Sequence, residues 1–251
     1  MEVHILGSGT CVPQADRSSP SCLVSIGEDI VLVDGGTGTM RRLLEAGFHY
    51  RDVDYLFYTH IHPDHTHDLV PFLFATKHTP GYTRTKPLHL IGPPGFKDFF
   101  SKLMDLFGEW VLSDEYMLEI DEMRENTQRS FSGWEVSTRL LEHSVPSLAY
   151  RFTDGSAVAV VSGDTSYCRA IVEQALGADV LVLECSFPTD LAVEGHLTPE
   201  STSQIAREAG CKRLVITHMY PIISADDLAA ACRRGFEGEV IAGRDLLKIV
   251  L

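Results

Sequence analysis

Positive charge is scarce in this chain. Its 251 residues carry 21 Lys and Arg against 35 Asp and Glu, a formal net charge of −14. The densest basic groups are pairs, Arg41-Arg42, Lys212-Arg213 and Arg233-Arg234. Broad grips on nucleic acid need basic patches, because phosphate neutralisation supplies much of the affinity. The balance therefore weighs against a broad nucleic-acid-binding surface, although much of the acid falls in residues 109–125 and could lie far from a site. No two of the six cysteines form a Cys-x-x-Cys pair, which argues against a thiolate-bound zinc and for small buried thiols in a reducing compartment. No apolar run is long enough to span a bilayer. The start, Met1-Glu2-Val3-His4-Ile5-Leu6, lacks the basic region of an export signal, so a cytoplasmic location is expected. Low-complexity segments and flexible linkers are also missing, and one domain covering residues 1–251 is expected.

What the chain does have is Thr59-His60-Ile61-His62-Pro63-Asp64-His65-Thr66-His67. Three histidines and an aspartate fall within six positions, directly after the apolar run Tyr55-Leu56-Phe57-Tyr58. On an extended strand His60 and His62 point the same way, because side chains alternate. Pro63 stops the strand, and Asp64 and His65 open a helix aimed back at the same spot. Imidazole nitrogen and carboxylate oxygen are the ligands that zinc and similar divalent metals take. So many ligands so close suit two ions better than one.

Apolar runs and turn signals outline two similar sets of elements. Strands are predicted at Val3–Leu6, Cys22–Ile26, Ile30–Val33, Tyr55–Thr59 and Leu88–Ile91, with helices at Met40–Ala46 and Phe96–Phe107. The second set begins near Trp134, with strands at Tyr150–Phe152, Ala157–Ser162, Val180–Glu184 and Leu214–Thr217. Its helices are Tyr167–Leu176, Pro199–Ala209 and Ala225–Arg233. Ser113–Arg129, the most polar stretch, reads as an excursion near the site. Two sheet-bearing halves with helices outside predict an α/β four-layer sandwich. The hairpin turns Gly27-Glu28-Asp29 and Asp154-Gly155 favour it over one doubly wound sheet.

Four further strand or loop ends carry ligand-type residues: Glu142-His143, Gly163-Asp164-Thr165, Gly195-His196-Leu197-Thr198 and Thr217-His218-Met219-Tyr220-Pro221. Loops at strand ends are where sites are built. His4, His49, His78 and His89 have no ligand-like context and are expected to be structural. His67 is expected to neighbour the site or to be exposed, and Cys185 to be a small buried residue near it.

In this order, His-x-His-x-Asp-His, a later His, Gly-Asp-Thr and a late Thr-His, the motifs resemble the metallo-β-lactamase superfamily over essentially the whole chain. Leu6-Gly7-Ser8-Gly9-Thr10 with Pro13 and Arg17, Val33-Asp34-Gly35-Gly36, Pro146-Ser147 after His143, and Gly195-His196-Leu197-Thr198 are most similar to its ribonuclease Z branch. The resemblance implies that His60, His62 and His143 hold one metal and that Asp64, His65 and His218 hold the other, with Asp164 bridging both. The ions are expected to be zinc, with manganese, iron or nickel as alternatives. Asp64 would also orient the attacking water, His196 would donate a proton or hydrogen bond to the developing oxyanion, and Ser147 or its backbone would contact a phosphate. The branch is often dimeric, so a homodimer is a further expectation.

Two departures bear on the substrate. Only twenty residues separate His143 from Asp164, which leaves no room for the tRNA-gripping arm of ribonuclease Z. The segment Glu184-Cys185-Ser186-Phe187 only partly matches the branch's Glu-Ala-Thr-Phe. The expected reaction is hydrolysis of a small phosphodiester or short RNA, with whole tRNA disfavoured. The alternatives keep the site but change the bond, to a lactone, thioester, sulfate ester or β-lactam, or make the chain a non-enzymatic ligand sensor.

Overall fold

Fourteen strands form two seven-stranded sheets in the computed structural model, which describes residues 1–251. The first half supplies β1 (Glu2–Gly7), β2 (Ser21–Ile26), β3 (Asp29–Val33), β4 (Tyr55–Phe57), β5 (Leu88–Gly92) and β6 (Leu118–Glu122). Its helices are α1 (Thr39–Glu45), α2 (Pro63–Thr66), α3 (Leu69–His78) and α4 (Phe96–Val111). The second half supplies β7 (Gln128–Phe131), β8 (Trp134–Leu141), β9 (Ser147–Thr153), β10 (Val158–Ser162), β11 (Val180–Glu184), β12 (Arg213–Thr217) and β13 (Glu239–Ala242). Its helices are α5 (Arg169–Gln174), α6 (Pro199–Ala209) and α7 (Ala225–Arg233). The last strand, β14 (Leu247–Val250), crosses back to pair with β1. The sheets run β14-β1-β2-β3-β4-β5-β6 and β13-β12-β11-β10-β9-β8-β7.

The layering follows from alternation along each strand. In β3, Val31 and Val33 face the other sheet while Leu32 faces the helices. In β11, Val180 and Val182 lie between the sheets and Leu181 and Leu183 pack under the helices. β12 repeats this with Val215 inward and Leu214 and Ile216 outward. Short β-branched side chains suit the gap between two pleated faces, and longer ones reach the helix layer. Three buried clusters result, one between the sheets and one beneath each helix layer. This is the four-layer α/β sandwich, and the single doubly wound sheet is excluded.

Differences from the sequence expectations have local causes. The strand expected over Tyr55–Thr59 stops at Phe57. There the Thr59 N–H turns to the Asp34 carboxylate at 2.8 Å, and the Thr59 carbonyl accepts from Leu148 N across to the second sheet. His60 and His62 thus sit on a loop. Ser113–Arg129 forms no excursion: it provides β6 and the start of β7, the outermost strand of each sheet. Half-exposed polar side chains suit such edges. Helix α3 follows a continuous apolar run, Leu69 to Phe74, whose lack of spacing hid it. No helix is long and apolar enough to cross a membrane.

Candidate metal centre

The carboxyl ends of β3, β4, β10, β11 and β12 open toward one spot, and each delivers a polar residue there: Asp34, Thr59-His60, Asp164, Glu184 and His218. Two of these, Asp34 and His218, adopt left-handed backbone, with φ of 60° and 54°. Such conformations cost non-glycine residues on the order of 1 kcal/mol and persist where the surroundings fix them. Here they turn the chain sharply off the strand so that the side chain faces the site.

The expected ligand atoms converge. His60, His62, His143 and Asp164 form one group, Asp64, His65 and His218 a second, and Asp164, His196 and His218 a third, with atoms inside each group within 4.8 Å of one another. Asp164 lies between the first two groups. Its Oδ2 is 3.7 Å from His60 Nε2 and 3.3 Å from His218 Nε2, and its Oδ1 is 3.5 Å from His65 Nε2. Asp64 stands at the half-buried rim with Oδ2 3.6 Å from His218 Nε2. His62 Nδ1 faces His143 Nε2 at 3.3 Å.

Each ring is aimed through its other nitrogen. His65 Nδ1–H donates to Asp34 Oδ2 at 2.8 Å. The Thr59 hydroxyl donates to the same carboxylate and accepts from His60 Nδ1–H at 3.0 Å. The Ser186 hydroxyl donates to Glu184 and accepts from His218 Nδ1–H at 2.9 Å. His143 Nδ1–H donates to the Gly195 carbonyl at 2.9 Å. These bonds put the lone pair of His60, His65, His143 and His218 on Nε2. The Nε2 atoms of His60, His65 and His218 are buried and find no hydrogen-bond partner in the protein. An unpaired buried polar atom costs about 1–3 kcal/mol, so three converging on one carboxylate fit a bound cation. The donor set is nitrogen and oxygen without sulfur, which suits zinc and other borderline divalent ions.

The electrostatics are those of a cation site. Burial works against the Asp164 charge, yet His218 and His65 hold its carboxyl well below the usual range. Burial likewise opposes charge on His65, and Asp164 and Asp34 together push its pKa well above the ordinary value. His60 has its pKa driven well down by burial and by neighbouring His65, so it stays neutral and ready to ligate. His62 is lowered too, by burial and His143.

His196 is held differently. Its Nδ1 lies 3.0 Å from Glu184 Oε2 and 3.9 Å from Asp164 Oδ2. Burial pushes its pKa down, but the hydrogen bond and charge of Glu184, with the charges of Asp164 and Asp64, more than offset this and raise it. Ser147 is fully buried at the start of β9, against Gly163 and Thr59, with its hydroxyl unpaired. Its side chain therefore lies within the wall of the site. His67 is exposed, 3.3 Å from Thr37 Oγ1, and Cys185 is fully buried. The supporting residues Asp34, Thr59, Glu184 and Ser186 escaped the sequence reading as functional parts. Asp34, Glu184 and Ser186 stood in segments compared with the ribonuclease Z branch and Thr59 opened the histidine segment, but the sequence assigned none of them a role.

Comparisons with known proteins agree with this geometry. The family model of the metallo-beta-lactamase superfamily matches residues 15–218. A ribonuclease Z of Mycobacterium sp. (strain KMS) is 30% identical over 274 aligned positions, covering 99% of this chain and 95% of that protein. Among solved structures, the metallo-beta-lactamase fold protein YhfI from Bacillus subtilis superposes with a TM-score of 0.87 at 24% identity, covering 99% of this chain and 98% of its own. The short form of human tRNase Z superposes with a TM-score of 0.81 at 20% identity, covering 100% and 99%. The chain belongs to the metallo-beta-lactamase superfamily, with relatives named ribonuclease Z.

Proposed function

We propose that residues 1–251 form one hydrolase domain that cleaves a phosphodiester with the help of two divalent metal ions, zinc being the ion the donor set favours. The observation that carries this is the convergence of six ligand residues around a seventh, Asp164, with three buried imidazole nitrogens left unpaired by the protein. His60, His62 and His143 would hold one ion, Asp64, His65 and His218 the other, and Asp164 would contribute to both. Bound there, such ions supply Lewis acidity, a more acidic water and charge neutralisation for phosphoryl oxygens. Asp64, at the rim, orients the attacking water and accepts its proton. His196, whose pKa Glu184 helps to raise, donates to the departing oxygen. Gly195, whose carbonyl fixes His143, and Glu184 keep the two histidines in register with each other.

A small phosphodiester or short RNA fits better than whole tRNA. Beside His143 opens a cavity of about 420 Å³ lined by Glu142, Ser144, Ser166, Glu194 and Gly195. Its two exposed carboxylates repel a long polyanion. That the curated relatives are named ribonuclease Z supports the phosphodiester bond itself.

The test is direct. Purified protein should hold about two metals per chain and cleave bis(p-nitrophenyl) phosphate. His196→Ala should lower kcat by roughly 10²–10⁴-fold with metal content unchanged. Metal-replete wild-type protein inert toward aryl and nucleotide phosphodiesters would defeat the proposal.

A further inference from the structure

Two aromatic rings that ligate nothing stand beside His196. In the parallel pairing of β11 with β12, Glu184 is opposite Thr217. Phe187 and Tyr220 each lie three residues beyond those partners, so the two strand exits carry a ring at the same offset. Tyr220 N donates to the Ser186 carbonyl at 3.3 Å, which keeps the exits side by side. The rings stack with centroids 4.5 Å apart and planes 23° from parallel. Phe187 lies 5.6 Å from the His196 ring, and Tyr220 lies 6.3 Å from His196 and 6.1 Å from His218. Both are half-buried, and the Tyr220 hydroxyl meets exposed Cys11 Sγ at 3.6 Å.

A stacked pair inside the core would be expected to lie fully buried, as Phe57, Tyr150 and Phe152 do between the sheets. This pair instead keeps aromatic surface at the mouth of a site otherwise lined with imidazole and carboxylate. Flat π-surfaces prefer flat partners, since offset stacking adds to simple burial. We propose that Phe187 and Tyr220 are a stacking platform that binds an aromatic ring of the substrate, an aryl group or nucleobase, on the alcohol that leaves next to His196. The proposal rests on the two-metal reading, in which the phosphate would bind to the ions held beside His218, 6.1 Å from the Tyr220 ring. It defines the substrate as a phosphodiester whose departing alcohol carries a flat ring.

Phenyl phosphate and cyclohexyl phosphate separate stacking from plain hydrophobic contact, because both carry a six-membered ring and only one is flat. Calorimetric binding to the metal-loaded full chain should favour phenyl phosphate by about fivefold. Tyr220→Leu and Phe187→Leu should each bring the ratio close to one, while Tyr220→Phe, which keeps the ring and loses only the Cys11 contact, should preserve it. Equal binding of the two esters by wild-type protein, a preference that survives both leucine substitutions, or its loss in Tyr220→Phe would overturn the platform and leave the metal centre standing. Binding of neither ester by metal-loaded protein that still cleaves bis(p-nitrophenyl) phosphate would overturn the platform alone.

Discussion

At the scale of single residues, the site depends on which nitrogen of each histidine is engaged elsewhere. Asp34, Thr59, Ser186 and the Gly195 carbonyl each take an Nδ1–H, and the opposite nitrogen is thereby aimed inward. Such partners fix the tautomer and the ring plane, and metal affinity falls when they are lost. Glu184 has a second task, because its charge keeps His196 protonated to higher pH than burial alone would allow. A group that donates a proton is active below its pKa, so the rate should fall as pH rises through the raised value. Glu184→Gln removes the charge that raises it, and the basic limb of the kcat–pH profile should move to lower pH. A limb that stays in place while kcat falls would show that another group controls it. The ligands themselves were readable in the sequence, since His60, His62, Asp64 and His65 are crowded into one short segment. Their supports were not, because Asp34 and His65 are 31 positions apart and only folding makes them neighbours.

At the scale of elements, what matters is where strands stop. β4 ends two residues short of the strand expected over Tyr55–Thr59, because a side-chain carboxylate replaces the neighbouring strand as partner for Thr59. Hydrophobic pattern reports which residues are buried, and it cannot report which acceptor a backbone N–H will find. The end of β10 shows the same dependence on close approach. A Cβ on Gly163 would lie 2.5 Å from Ser147 Oγ and 2.7 Å from Thr59 Cβ. Gly163→Ala must therefore displace Thr59, and with it Asp34 and His60. We expect a loss of about 1–3 kcal/mol in urea unfolding, as for other overpacked cores, together with reduced metal content. Normal metal content in a destabilised variant would separate packing from ligation. The regular elements gave the opposite experience: β11, α6 and α7 lie where apolar spacing and turn residues predicted them.

At the scale of the molecule, the ends of the chain are tied to its centre. β14 returns from the second half to pair with β1, and the loop ahead of it carries Asp245. That buried carboxylate accepts from Ser8 N at 2.9 Å, Ser8 Oγ at 2.8 Å, Ser18 N at 2.7 Å and Arg42 Nε at 2.9 Å. The Ser8 carbonyl in turn accepts from Met219 N, beside His218. Asp245→Ala would strand several donors and one guanidinium, and we expect it to lower stability by roughly 3 kcal/mol in urea titration. Asp245→Asn should restore only part of this, since its amide nitrogen would face donors. A change under 1 kcal/mol in the alanine variant would mean that the tie is not a structural support.

By itself the sequence determined the class of the fold and the set of metal-seeking residues. Alternating valines and leucines impose two sheets with helices outside, and ligand chemistry is a property of residue type. Only the tertiary structure decided that Glu184 serves His196 while Asp34 serves His65, and that Phe187 stacks on Tyr220. Those relations join residues far apart in the chain, and they exist because strands from both sheets end at one edge of the sandwich.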